Sequence, residues 1–451
     1  MTGLLNVCTV ALTLSIAATQ AAAWSDHRFP SYRTFERMQE VAQAASIKAE
    51  PLATFLKAEE AAIEKLLARQ AAWSEANLDF YPALPAELVF RADASRSDDA
   101  RKKAFLMALR MAPNAPFALY FQPDARKPRP NKKPLPHSAV NTLPVAASVA
   151  FSYFPLDAGE AIDVLSVLAT ATEEPDNGLD IKLWEDSPSD WGKAMGLGSL
   201  PFGNPSLPYS SQAPFHMGFY HESPLIYKAA EFVRHTFPLM RHHQLATLST
   251  LAFRTGHPYW GWRFAGMSLH YLQDLTQPFH ASLSPGSSAV KMIGINVLAM
   301  AGLPKWKEDM VILLSNRHLV LEYFQAGWLL RNAIQQRDTS VEISLRSMER
   351  DASYPAWGEN YVRDVVSAQA AAQGASAVKS LLQAMPENYV NNPQFDYGPQ
   401  ADKIALNDEV DRGASAESRQ RIESEISNLL GNFGAHSRNA IRGILKASVK
   451  P

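Results

Sequence analysis

The chain has 451 residues, is 47% hydrophobic and 20% charged, and carries a formal net charge of −2. That composition belongs to a folded chain with a sizeable core and excludes a disordered or fibrous one. It also excludes a global basic field for holding polyanions, so a nucleic-acid role would need a local basic patch or a metal site.

The first 23 residues, MTGLLNVCTVALTLSIAATQAAA, contain no charged side chain. Their apolar run is too short to span a bilayer and ends in Ala21-Ala22-Ala23, which fits a small-residue cleavage site. Residues 1–23 are therefore expected to be a secretory signal, and the protein to be secreted or periplasmic with Trp24 at its new N-terminus. The single cysteine, Cys8, lies inside this segment. The apolar region follows it and does not precede it, which argues against lipidation. The processed chain would then have no disulfide and would depend on its core or on metal ions.

Beyond Trp24, apolar residues recur at helical spacing and strand-like alternation is scarce, so the predicted fold class is all-α. Residues 51–72 open on Pro51 and are rich in Ala, Leu, Glu and Lys, which predicts a helix. Ser97 is the expected cap of a helix over 97–111, with Asp98 and Asp99 in its first turn. Residues 125–136, ARKPRPNKKPLP, are basic and proline-rich and predict a solvated linker. Further helices are expected at 158–171, 225–253, 258–276, 305–335, 358–385 and 416–446. Residues 186–214 and 394–402 read as irregular. Residues 291–304, KMIGINVLAMAGLP, are too short to cross a membrane; they form either a buried helix or an exposed lid that touches lipid.

The stretch HYLQDLTQPFH, residues 270–280, spaces His270, Asp274 and His280 as His-x3-Asp-x5-His. On a helix ended by Pro278, His270 and Asp274 stand at i and i+4, share a face and can grip one ion. His280, past the proline, is free to point at a second ion. SNRHLVLEYF repeats the logic, with His318 and Glu322 at i and i+4. Alone that pair reads equally well as a helix-surface hydrogen bond; beside the first motif it supplies two more ligands to the ion of His280. Imidazole plus carboxylate suits zinc, with manganese or iron as alternatives.

HYLQDLTQPFH followed by HLVLE resembles the ligand core of the trinuclear zinc phosphodiesterases, the superfamily of bacterial zinc-dependent phospholipases C and of fungal and plant single-strand-specific nucleases. Mature members begin with a tryptophan whose amine and carbonyl oxygen bind zinc, and here the expected cleavage exposes Trp24, with His27 close behind. The resemblance implies a mostly helical fold holding three zinc ions. One ion would take Trp24, His27 and Asp274; a second would share Asp274 and add His270, an aspartate and a histidine; a third would take His280, His318 and Glu322. For the aspartate we choose Asp176, with Asp180 and Glu174 as competitors. For the histidine we choose His216, with His221 as its rival. His235, His242 and His243 are placed on a predicted helix as structural or surface groups, and His257 as a turn residue. His137 and His436 belong to no such pattern. The likeness covers the first residues after Trp24 and then roughly 160–335; residues 33–150 are expected to be a helical insertion.

The reaction so implied is phosphodiester hydrolysis by a metal-bridging hydroxide, with Asp274 bridging two ions and Asp176 orienting or deprotonating the water. The favoured substrate is a phospholipid, because there is no disulfide framework, Glu322 stands where the nuclease branch has aspartate, and the apolar stretch 291–304 lies between ligands. The alternative is a single-stranded nucleic acid, for which Phe215, Phe219, Tyr220, Trp260 and Trp262 could serve as stacking platforms; core packing is the favoured role for these rings. A third reading is a secreted helical zinc-binding protein without catalysis. No stable protein partner is inferred.

Overall fold

The computed structural model describes residues 26–143, 152–181, 183 and 212–449. The expected signal peptide, Trp24 and nearly all of 186–214 lie outside these residues. Helix dominates what is described. The longer helices are α1 (Arg28–Phe35), α2 (Glu60–Asn77), α3 (Asp98–Ala108), α4 (Val164–Ala171), α5 (Pro238–Arg254), α6 (Pro258–Asp274), α7 (Ala289–Met300), α8 (Lys305–Ile334), α9 (Ala368–Ala384) and α10 (Ala416–Ser448). Two antiparallel pairs add short sheets: β1 (Ile47–Lys48) with β4 (Ala161–Ile162), and β2 (Tyr120–Phe121) with β3 (Phe154–Pro155). The all-α expectation agrees with this architecture. Among the described residues no helix is long and apolar enough to cross a membrane.

Several boundaries differ from the sequence expectation. The helix expected over 51–72 is two helices, Leu52–Ala58 and α2, which meet at Glu59. The helix expected from 158 starts only at Val164, where the Asp163 side chain accepts from the Ser166 amide; the preceding residues pair as β4. The long helix expected over 225–253 is broken by Pro238, which cannot donate an amide and so begins α5 as its first residue. His235 therefore lies off the helix, stacked on Phe80 with ring centroids 3.9 Å apart. The segment expected over 358–385 begins as a π-helical stretch at Val362–Ser367 before α9, and part of 394–402 winds into a 3-10 helix at Gly398–Lys403.

α6 is the axis of the molecule. Every side chain from Tyr259 to Asp274 is buried, so it is surrounded on all sides. α5 packs along it, joined through Thr255 and Gly256, whose φ of 87° suits a residue without Cβ. α4 crosses it at Gly266, where an added Cβ would stand 2.5 Å from the Leu168 carbonyl oxygen. That close crossing, one turn before His270, lets the two backbones approach. Residues 39–143 share one core with this axis: Phe55, Ile63 and Phe105 join Tyr259, Trp260 and Phe264 in a single cluster. A second apolar cluster lies under α8, α9 and α10, around Leu319, Phe324, Leu381 and Phe433. The basic linker 125–136 is mostly exposed, with Arg126 paired to Asp338 and Lys132 to Glu160.

His242, on α5, shows how the core sets a protonation state. The Trp357 indole N–H donates to its Nε2 (3.0 Å), and its Nδ1 faces the Ser268 carbonyl (2.9 Å). The ring is therefore neutral, and burial lowers its pKa from 6.5 to about 4. As pH falls the unfolded chain takes up this proton first. The stability carried by the neutral ring is complete above pH 6.5 and is lost as pH drops towards 4. His242→Gln should recover on the order of 3 kcal/mol of the acid destabilisation. Urea unfolding at pH 7 and pH 4 checks this; equal acid loss in both proteins would refute it.

Candidate metal centre

Three groups of side chains that could hold a metal ion converge around the end of α6: His27, His270 and Asp274; Asp176, His216 and His270; His280, His318 and Glu322. All eight described candidates from the sequence thus come together, from segments as distant as residues 27 and 322. Trp24, the ninth, lies outside the described residues.

Two long helices, α6 and α8, carry four of them, and three of the others lie on short elements that begin with a proline in the first turn. α1 presents His27 at its start. Asp176 sits in a 3-10 turn, Glu174–Asn177, ended by Gly178 in the left-handed region. His216 closes a four-residue helix, Ala213–His216, and His280 lies in another, Pro278–Ala281. His318 and Glu322 face inward from one turn of α8.

Three of the histidines are oriented the same way. His27 Nδ1 meets Gln273 Oε1 at 2.9 Å, His270 Nδ1 meets the Thr172 carbonyl at 2.7 Å, and His280 Nδ1 meets the His216 carbonyl at 2.8 Å. Donation from each Nδ1–H sets the tautomer and turns Nε2 toward the cluster. The Gln273 amide is itself aimed, because its Nε2 donates to Ser31 and Ser437 hydroxyls. His216 is reversed. Its Nδ1 faces the cluster, 2.9 Å from His270 Nε2, while its Nε2 lies 3.4 Å from Asp180 Oδ2.

Asp274 divides its two oxygens. Oδ2 lies 3.0 Å from His216 Nδ1 and 3.4 Å from His270 Nε2; Oδ1 lies 3.3 Å from His27 Nε2 and 3.6 Å from His280 Nδ1. Glu322 Oε1 gathers His280 Nε2 at 2.9 Å and His318 Nε2 at 2.7 Å, and the Phe279 ring stacks on His318.

The electrostatics are uneven. Burial works against the Asp274 carboxylate, but the surrounding imidazoles, His270 and His280 first, hold it well below the usual carboxylate range. Glu322 is lowered in the same manner by His318 and His280 against its burial. Asp176 goes the other way: burial, reinforced by Glu173 and Asp274, pushes it well above that range despite His216. His216 is driven up to about 10, since Asp180, Asp274 and Asp176 outweigh its burial. Burial and the neighbouring His27 lower His270.

The residues fit cations. Both Asp176 oxygens and Asp274 Oδ1 are buried atoms without a hydrogen-bond partner, a state that an ion would relieve. The donor set, imidazole nitrogen with carboxylate oxygen, matches borderline divalent metals.

The competitors lie elsewhere. His221 is exposed and its Nε2 contacts the Arg363 carbonyl. Glu174 forms a buried ion pair with Arg263. Asp180 stands behind His216, where it accepts from Arg241 (2.8 Å) and from the Tyr271 hydroxyl (2.6 Å). His243 stacks on Trp73, His257 meets Glu50 at 2.8 Å, His137 meets the Leu143 carbonyl, and His436 meets the Tyr361 hydroxyl. Sequence reasoning missed Gln273 as an orienting group and Asp180 as the support of His216. Gln273 lies inside the quoted motif, but its partner His27 is distant in the chain.

No family model, curated protein or solved structure matches the chain.

Proposed function

We propose that the protein is a secreted zinc-dependent phosphodiester hydrolase, phospholipase C-like in its substrate. The observation that carries this reading is the division of Asp274 between two sets of imidazole nitrogens, those of His216 and His270 on Oδ2 and that of His27 on Oδ1. His27, Asp274 and the Trp24 terminus would hold one ion, Asp176, His216, His270 and Asp274 a second, and His280, His318 and Glu322 a third. Zinc bound there would acidify a water and neutralise phosphoryl oxygens.

The chain's own groups divide the remaining work. Asp274, fully buried and anionic, keeps the imidazole sets in register. Asp176 has two buried carboxylate oxygens without a hydrogen-bond partner among the described residues, beside His216 and His270, where they would orient a water or accept its proton. Gln273 and the Thr172 and His216 carbonyls prevent the imidazoles from rotating.

Two observations favour a phospholipid over a nucleic acid. Phe215, Phe219, Trp260 and Trp262 are buried in the core and present no face for base stacking, while Tyr220 is half-buried with its hydroxyl accepting from the Leu239 amide (3.2 Å). The apolar segment between His280 and His318 is exposed, as described below. Cleavage on the glycerol side of the phosphate would release diacylglycerol and a phosphorylated head group, with water supplying the added hydroxyl and proton. The processed, zinc-loaded protein should release phosphocholine from phosphatidylcholine vesicles, and a chelator should stop it. Nucleotide release from single-stranded DNA, with no phosphocholine, would transfer the protein to the nuclease branch. Bound zinc with neither product would favour a non-catalytic binding protein.

A further inference from the structure

We propose that α7 and its turn into α8 form a membrane-docking tip that inserts into the interfacial layer of an anionic bilayer. This deepens the phospholipase reading, on which its physiological meaning rests.

The outer face of α7 is apolar where a surface helix is normally polar. Val290 is 74% exposed, Val297 57%, Leu298 39%, Met300 56%, and beyond the helix Leu303 52% and Trp306 61%. Val290, Val297 and Leu298 fall at i, i+7 and i+8, on one stripe, while Met292 and Asn296 face inward. These six side chains expose apolar surface on the order of several hundred Å², above what a solvated surface usually tolerates. The patch extends towards Leu225, 55% exposed on the Pro224–Ala229 helix that α7 packs against.

Shape and charge select the occupant. An added Cβ at Gly294 or Gly302 would meet no atom within 4 Å, so no groove wall stands over the segment at these positions. An uncovered apolar face suits a fluid bilayer, which needs no complementary cleft. Between residues 289 and 307 the charged side chains are Lys291, Lys305 and Lys307; Glu308 and Asp309 follow, and Lys305 pairs with Asp309 at 2.9 Å. Lys291 is thus the cation within the apolar helix itself, and the net charge over 289–309 is +1 (three lysines against two acids). Basic residues flanking an apolar face with a tryptophan at its edge are the pattern of interfacial insertion into anionic lipid. Trp306 and His318 lie on the same helix, about 18 Å apart along its axis at 1.5 Å per residue. Docking at the tip would thus fix the orientation of the candidate metal centre relative to the lipid surface.

The test is sedimentation of the zinc-loaded protein with vesicles of phosphatidylcholine alone or mixed with phosphatidylserine, alongside hydrolysis of soluble bis(p-nitrophenyl) phosphate. The unaltered protein should bind the mixed vesicles more tightly, and less so in high salt. Val297→Asp/Leu298→Asp, and separately Trp306→Ala, should weaken vesicle binding by at least about tenfold. Both variants should leave soluble diester hydrolysis unchanged. Equal binding by the variants, or no binding by the unaltered protein, would overturn the proposal. So would a dimer in sedimentation velocity that the aspartates dissociate, because the patch would then cover a second copy. Vesicle binding without hydrolysis of any diester would leave the tip standing and remove the phosphodiesterase reading.

Discussion

Asp274→Asn is expected to lower kcat by at least about 10³-fold and to reduce the bound zinc per chain. Each Asp274 oxygen serves a different imidazole set, and the carboxylate is held anionic at the centre of the cluster. An amide presents one oxygen and one NH2 group, so a single oxygen remains to serve both sets. The NH2 would also be aimed at imidazole nitrogens that are turned inward as lone pairs. His280, His318 and Glu322 do not depend on this carboxylate for their mutual contacts, so their ion should be retained. Metal content by elemental analysis, measured beside turnover, checks both parts. Full hydrolysis by a folded Asp274→Asn protein would refute the bridging role.

Asp180→Ala is expected to destabilise the protein by about 3–5 kcal/mol, the usual consequence of stranding one member of a buried ion pair. Arg241 and Asp180 are both fully buried. The guanidinium donates to Asp180 and Gln244 and to the carbonyls of Leu109 and Arg110, so it ties the segment carrying α3 to the central helices. The attraction of Arg241, together with hydrogen bonds from His216 and Tyr271, holds Asp180 below the usual carboxylate range against its burial. Its removal would leave a buried cation without a counter-charge and His216 without the carboxylate that steadies Nε2. Zinc affinity should therefore fall together with stability. Urea unfolding of the chelated protein isolates the first effect. A loss below about 1 kcal/mol would mean that the guanidinium finds water or another acceptor.

Local signals account for much of the agreement between sequence and structure. α6 and α8 follow apolar periodicity, and prolines mark where α6 starts and where the chain turns after it. His270 with Asp274, and His318 with Glu322, were legible because helical geometry places i and i+4 on one face. The misplaced boundaries have two kinds of cause: Pro238 interrupts a periodic run locally, whereas the residues before Val164 pair as a strand with the distant Ile47–Lys48 although their spacing suits a helix.

The apolar residues 291–304 show the limit of such reasoning. Their composition suits a buried helix or an exposed lid equally well, since burial depends on what packs above them. The fold leaves their outer face uncovered. Likewise, Asp176, Glu174 and Asp180 lie within seven residues of one another and carry the same chemistry. Only the distant Arg263 and Arg241 engage two of them and leave Asp176 facing the histidines. His216 and His221 are separated in the same way, by which of them reaches Asp274. Periodicity, caps and short spacings are properties of neighbours along the chain, and so the sequence alone determined the helices and the paired ligands. Which acid faces an ion and which face meets solvent are set by contacts between residues far apart in the chain, and these form only when the helices pack.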